Sequence, residues 1–180
     1  MTDNTHILVT NVSKTYDGTA TISSVPITLD SNNTIIVTGD LVTVSGTGNY
    51  NNRHVGTSKA VTIDVALSGE DSGNYALIDG DGNANTRITG NVGTITQLSQ
   101  VTWTGATTGG VWSNAANWDG GAIPDQSNVA TAIIPTGYSV IYNSDVVGQI
   151  SNTTIRNNGV VEFNGNTAFE LDSVVTGQVI

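Results

Sequence analysis

The apolar positions of this chain fall in short runs with a period of two, separated by turn-forming residues about every eight to twelve positions. The cleanest run is 60–67, where Val61, Ile63, Val65 and Leu67 share one face and Ala60, Thr62, Asp64 and Ala66 the other. Side chains alternate across a strand, so this pattern predicts a half-buried β-strand. The runs 7–9, 35–37, 41–44, 75–78 and 88–95 predict further strands, the last interrupted by Gly90 and Gly93. Asp17-Gly18 supplies the positive φ of a tight turn, and Gly39-Asp40 ends another run. No window carries a helical period, so residues 1–99 read as a small antiparallel β-sandwich-like module.

The pattern changes after residue 100. Short apolar runs alternate with amide-rich bends: 138–142, Val146-Val147, Ile150, Ile155, Val160-Val161 with Phe163, Phe169 with Leu171, Val174-Val175 and Val179-Ile180. Asn143-Ser144, Asn157-Asn158-Gly159 and Asn164-Gly165-Asn166 mark corners, because Asn and Gly tolerate left-handed backbone. Val161 and Phe163 flank Glu162, and Phe169 and Leu171 flank Glu170, giving each short strand one buried and one wet face. An echo of Val147-Gly148-Gln149-Ile150 in Thr176-Gly177-Gln178-Val179 suggests a repeat of one or two coils. Residues 100–180 are thus expected to form a short β-solenoid, the start of a right-handed β-helix, or a second β module. The apolar last run, VVTGQVI, reads as the cut edge of a longer polypeptide.

Composition narrows the function classes. Only 11% of the 180 residues are charged and the formal net charge is −10, which repels phosphate backbones and anionic lipid. Neither nucleic-acid binding nor direct membrane insertion is expected. Without cysteine there is no disulfide framework and no thiolate metal site. The start MTDNTHILVT lacks the basic and apolar regions of a signal peptide.

Five stretches then combine in order: Lys14-Thr15-Tyr16-Asp17-Gly18-Thr19; Gly39-Asp40; His54-Val55-Gly56-Thr57-Ser58-Lys59-Ala60-Val61-Thr62; Leu67-Ser68-Gly69-Glu70-Asp71-Ser72-Gly73-Asn74-Tyr75; and Gly93-Thr94-Ile95-Thr96. Together they resemble the YDG-type repeat of large bacterial surface adhesins of the filamentous-haemagglutinin and autotransporter kind. The resemblance covers about residues 7–97 and implies a small β module, arrayed in tandem as a stalk, with no catalytic residues to carry over. The physical reading agrees, since Tyr16 and Tyr75 each offer a polar tip on a large apolar body suited to closing a small sandwich. The run DGDGNAN at 79–85 is an insertion relative to the short form of the repeat.

The stretch 103–124, WTGATTGGVWSNAANWDGGAIP, holds all three tryptophans and joins the two modules. It has neither helical nor strand period, and Pro124 and Pro135 break continuous elements. Its pattern resembles the segment that precedes a β-helix in secreted passengers. Trp103, Trp112 and Trp118 are read foremost as packing anchors covering a β end. The competing reading makes them a stacking platform for sugars, with Asn114, Asn117 and Asp119 as hydrogen-bonding partners.

Asp79, Asp81 and Asn83 alternate as in a calcium loop. Counted from Asp79, however, the sixth and twelfth positions are Ala84 and Gly90 instead of Gly and Glu. A solvated turn is the preferred reading and a Ca²⁺ site the minority one. His6 and His54 each lack a second histidine at ligand spacing, no nucleophile elbow or phosphate loop occurs, and Glu162 and Glu170 read as solvent-facing strand positions. Three glycosylation sequons, at Asn11, Asn32 and Asn152, are matches that an Asn- and Thr-rich chain makes by chance.

The expectation is a non-enzymatic structural and adhesive module of an extracellular or cell-surface bacterial protein. Its partners would be neighbouring modules of the same polypeptide and glycans or host-surface molecules. A carbohydrate-binding module is the alternative, and a fragment of a polysaccharide-active β-helix enzyme ranks last.

Overall fold

The computed structural model describes residues 5–7, 9–23, 27–29, 36–78, 84, 86–143, 150, 153–164 and 175–179. The chain divides into two compact units, one made of Met1–Lys14 and Ala20–Ile95, the other of Thr15–Thr19 and Thr96–Ile180. It is all-β, with two curled six-stranded sheets and no α-helix among the described residues.

The first unit contains β1 (Thr5–Ile7), β2 (Val9–Thr15), β3 (Thr21–Ser23), β4 (Ile27–Leu29), β5 (Thr43–Tyr50), β6 (Gly56–Ser68), β7 (Tyr75–Leu77) and β8 (Arg87–Thr96). Its sheet runs β3-β5-β6-β8-β2-β4. The edge strands β3 and β4 are consecutive in sequence, and the four Cα steps from Ser23 to Ile27 span at most about 15 Å. Six flat strands would set those edges about 24 Å apart, at roughly 4.8 Å per gap. The short link therefore requires the sheet to curl until its edges approach. Gly46 on β5 makes room for this, because a Cβ there would lie 2.9 Å from Ile27 Cδ1 on β4 and 2.8 Å from Ile63 Cγ2.

The central strand β6 follows the period of two read from the sequence. Val61, Ile63 and Val65 are buried and Ala60, Thr62, Asp64 and Ala66 exposed. Each such apolar side chain contributes about 1.5–3 kcal/mol on burial. Val12, Ile22, Tyr50 and Ile95 of this unit are buried as well. The inward face of β6 continues to Lys59, where the pairing with β8 is irregular and Ser58 takes a left-handed φ of 52°. Beside the main sheet, β1 pairs with β7 in parallel, a pairing the antiparallel reading did not anticipate.

The expected run 35–37 differs. Ile36 and Val37 are not strand, and β5 begins only at Thr43. Here side chains take the backbone donors that a ladder would use: Val37 N–H donates to the Tyr75 hydroxyl (2.9 Å) and Leu41 N–H to Asp71 Oδ2 (2.9 Å).

The second unit contains β9 (Val101–Thr102), β10 (Gly110–Val111), β11 (Thr131–Ile134), β12 (Ser139–Asn143), β13 (Thr154–Asn164) and β14 (Val175–Val179), with short 3₁₀ turns at Ala115–Asn117 and Asp119–Gly121. Among the described residues its named strands pair in parallel, and Trp103 and Trp118 form an isolated antiparallel bridge. Val101, Ala132, Ile155 and Val175 stack in register along one column, offset by 31, 23 and 20 residues (101 to 132 to 155 to 175). Gly110, Val140, Val161 and Val179 stack along another. The single strand β13 serves both columns, its first half under β11 and its second under β12.

Where β11 and β12 are separated by a turn at 135–138, with Gly137 at a φ of 88°, β13 passes straight beneath. Gly159 permits this, because a Cβ there would strike the Tyr138 carbonyl oxygen and lie 2.7 Å from that of Pro135. The twenty-nine-residue echo is not the stacking interval: Gln178 and Val179 pair with Val160 and Val161, while Ile150 bridges Gln126. The earlier copy, apart from Ile150, lies outside the described residues, as do Val146-Val147, Phe169, Glu170 and Leu171.

Candidate functional site

The tryptophan stretch builds the head of the second unit. Val101 and Trp103 are both buried, as alternate residues entering from β9. Gly110 and Trp112 repeat the arrangement from β10. The Trp103 N–H donates to the Ile133 carbonyl (2.9 Å) and the Trp112 N–H to that of Ile141 (2.8 Å), tying both residues to the next stacked strands. Gly110 must be bare, because a Cβ there would lie 2.5 Å from Trp103 Cζ2.

All three rings are buried, at 1%, 0% and 2% exposure for Trp103, Trp112 and Trp118. Trp118 meets Trp103 edge-on at 5.1 Å and Trp112 at 4.6 Å, while Trp112 meets Tyr142 at 5.3 Å. Each indole N–H is satisfied by a backbone carbonyl: Trp103 by Ala106 (3.2 Å), Trp112 by Pro124 (2.9 Å) and Trp118 by Trp112 (2.7 Å). Stacking on a sugar needs an exposed ring face, and none of the three presents one. Their geometry is that of packing anchors.

The polar candidates fare differently. Asn114 starts the 3₁₀ turn, its side chain accepting from the Ala116 N–H (3.1 Å). Asn117 is half-buried and its Nδ2 donates to the Val111 carbonyl (3.0 Å), so its amide closes the loop. Asp119 is exposed and lines a cleft of about 270 Å³ together with Asp17, Leu98, Gln100, Gly120 and Ala122. Of the six candidate ligand residues, Asn114 and Asp119 are exposed, and Asp119 lines this cleft.

Sequence reading missed two residues here, Tyr16 and Asp17. The segment Thr15–Thr19 belongs to this unit although its flanking strands belong to the other. Tyr16 is 1% exposed, its N–H donating to the Thr96 carbonyl (2.9 Å) and its hydroxyl to the Ile123 carbonyl (3.0 Å). The expectation that Tyr16 closes the first module is corrected: its ring packs in the second. The Tyr-Asp-Gly triplet was visible in the sequence, but its acceptor, about a hundred positions onward, carries no local signal.

Deeper in the unit, Asp125 is buried beside Asn128, whose Nδ2 donates to its Oδ1. Burial, with the charge of Asp125 adding, pushes the Tyr142 phenol up to about 12.

In the first unit the motif stretches meet one another. The Tyr75 hydroxyl donates to Asp40 Oδ2 (2.6 Å), and that bond foremost, with burial, raises its pKa. Gly69, at a φ of 113°, lets the backbone of Leu41 pass where a Cβ would strike its carbonyl oxygen. Lys59 Nζ donates to Asn52 Oδ1 (2.7 Å), and burial lowers its pKa. These side chains are spent on closing turns. Asp79, Asp81 and Asn83 lie outside the described residues, although Ile78 and Ala84 on either side form an antiparallel bridge. Glu162 is exposed on β13 as the alternation required.

The fold thus defines an all-β protein of two units whose aromatic cluster is a packed core. Within it, residues 3–86 match the family model of the YDG domain, a β-rich family, so a YDG domain is detected in the first half of the chain. The match takes in the first four motif stretches and stops before Gly93-Thr94-Ile95-Thr96, which lies on β8. No curated protein matches the chain, and no solved structure does.

Proposed function

We propose that this chain is a structural and adhesive portion of a large secreted or surface-anchored bacterial adhesin, working outside the cell and without catalysis. The YDG domain extends a stalk and presents an interaction surface, and the tryptophan stretch heads a β-helical passenger. The carrying observation is the YDG match at 3–86 on a unit whose motif side chains bond to backbone and to one another in its turns. No helix among the described residues is long and apolar enough to cross a membrane. The partners are neighbouring modules of the same polypeptide and host- or cell-surface molecules.

Beads coated with the full chain test the reading. Retention on cell layers well above that of albumin-coated beads, blocked by antibody fragments against the chain, is expected. Retention equal to albumin, or turnover of a polysaccharide, counts against it. A second reading, carbohydrate binding, is favoured by the cleft at Asp119 alone. A saturable response to a glycan panel that disappears in Asp119→Ala, with folding intact, would carry that reading instead.

A further inference from the structure

We propose that the Tyr-Asp-Gly loop is a docking element that completes the parallel second unit, recognising a glycine turn through its backbone. The loop is built to be presented: Asp17 Oδ1 accepts from both the Thr19 N–H and the Thr19 hydroxyl, each at 2.9 Å, which fixes the turn from within. Gly18 takes a φ of 81°, and a Cβ on it would strike the Gly121 carbonyl oxygen, so backbone lies directly on backbone. The receiving turn is equally specialised. Gly120 and Gly121 both adopt left-handed φ, 62° and 73°, which lets the chain reverse, and the Ile123 carbonyl just beyond accepts from both the Asp125 N–H and the Tyr16 hydroxyl, each at 3.0 Å. Two left-handed residues in succession strongly favour glycine.

The class of partner follows from these contacts. The loop needs a bare-glycine turn, a following carbonyl, and a pocket for one phenol ring. This inference concerns the folding of the chain and stands apart from whether the protein is adhesive.

Hydrogen exchange on the full-length chain tests it, with Tyr16→Phe, Tyr16→Ala and Gly18→Ala compared with wild type. Removing the Tyr16 hydrogen bond, while the Ile123 carbonyl keeps its bond from the Asp125 N–H, is expected to speed exchange roughly fivefold in Val101–Thr102 and Thr131–Ile134. Rates in Thr43–Tyr50 and Gly56–Ser68 should stay within about twofold. Tyr16→Phe keeps the ring and removes only the hydroxyl, so it decides the matter if Tyr16→Ala does not fold. Unchanged exchange in the second unit, or a rise that is equal in both units or confined to the first, overturns the proposal.

Discussion

The two units solve the same problem, covering a β core without helices, in different ways. In the first, neighbouring strands such as β5 and β6 pair antiparallel, and the pattern along one strand states which side chains go inward. In the second, each strand pairs in parallel with one some 18 to 31 residues away, as 101 with 132 and 161 with 179. The head of its stack is closed by large aromatic rings instead of by a partner strand. An alternating strand is stabilised by many medium-sized apolar contacts, whereas the head of a stack concentrates its stability in a few rings. Loss of one residue should therefore be more damaging, and more local, in the second unit.

The sharpest test is Trp112→Ala. The ring is fully buried among Trp118 and Tyr142, and its removal should cost about 3–5 kcal/mol. In denaturant, the emission of the remaining tryptophans, all in the second unit, should be lost at a lower midpoint while the amides of β6 stay protected. Ile63→Ala makes the opposite lesion in the first unit and should cost about 2–5 kcal/mol there. Its amides should exchange faster with tryptophan emission unmoved, and equal loss in both units would break the comparison.

Alkali should also strike the second unit first. The buried Tyr142 is held neutral, its folded pKa of about 12 lying above the ordinary value of 10.0. The stability it contributes is complete below pH 10 and is lost as pH rises through 12. Discounted for solvent screening, a shift of that size is worth on the order of 1–2 kcal/mol. Tyr142→Phe should remove this alkaline decline, as read by tryptophan emission against pH.

Gly159→Ala presses a methyl group against the Pro135 and Tyr138 carbonyls and should cost about 1–3 kcal/mol, lowering the thermal midpoint. The smallest effect belongs to the exposed pair of Arg87 Nη1 and Asp64 Oδ1 (3.3 Å), where Arg87→Ala should change stability by less than about 1 kcal/mol, and less still in high salt.

How much of this was legible in the sequence depends on the range over which each feature is encoded. The inward face of β6 was legible because alternation is local. The non-strand run at 36–37 was not, because the Tyr75 hydroxyl claims the Val37 donor from 38 positions away. The parallel stacking was legible only as short runs between Asn and Gly corners, since no local turn fixes a parallel register. Two copies of a sequence echo were too few to establish an interval. At the tryptophan stretch the residue types could not choose between an open platform and a packed core. Burial and three satisfied N–H groups made that choice.

By itself the sequence determined that the chain is all-β, where its clearest strand faces inward, and that a YDG-type pattern occupies its first half. These follow from local periodicity and short motifs. Only the tertiary structure decided where the Tyr-Asp-Gly loop is used. The segment Thr15–Thr19 belongs to the second unit, where the Tyr16 hydroxyl bonds the Ile123 carbonyl, because its acceptor comes about a hundred residues later in the chain.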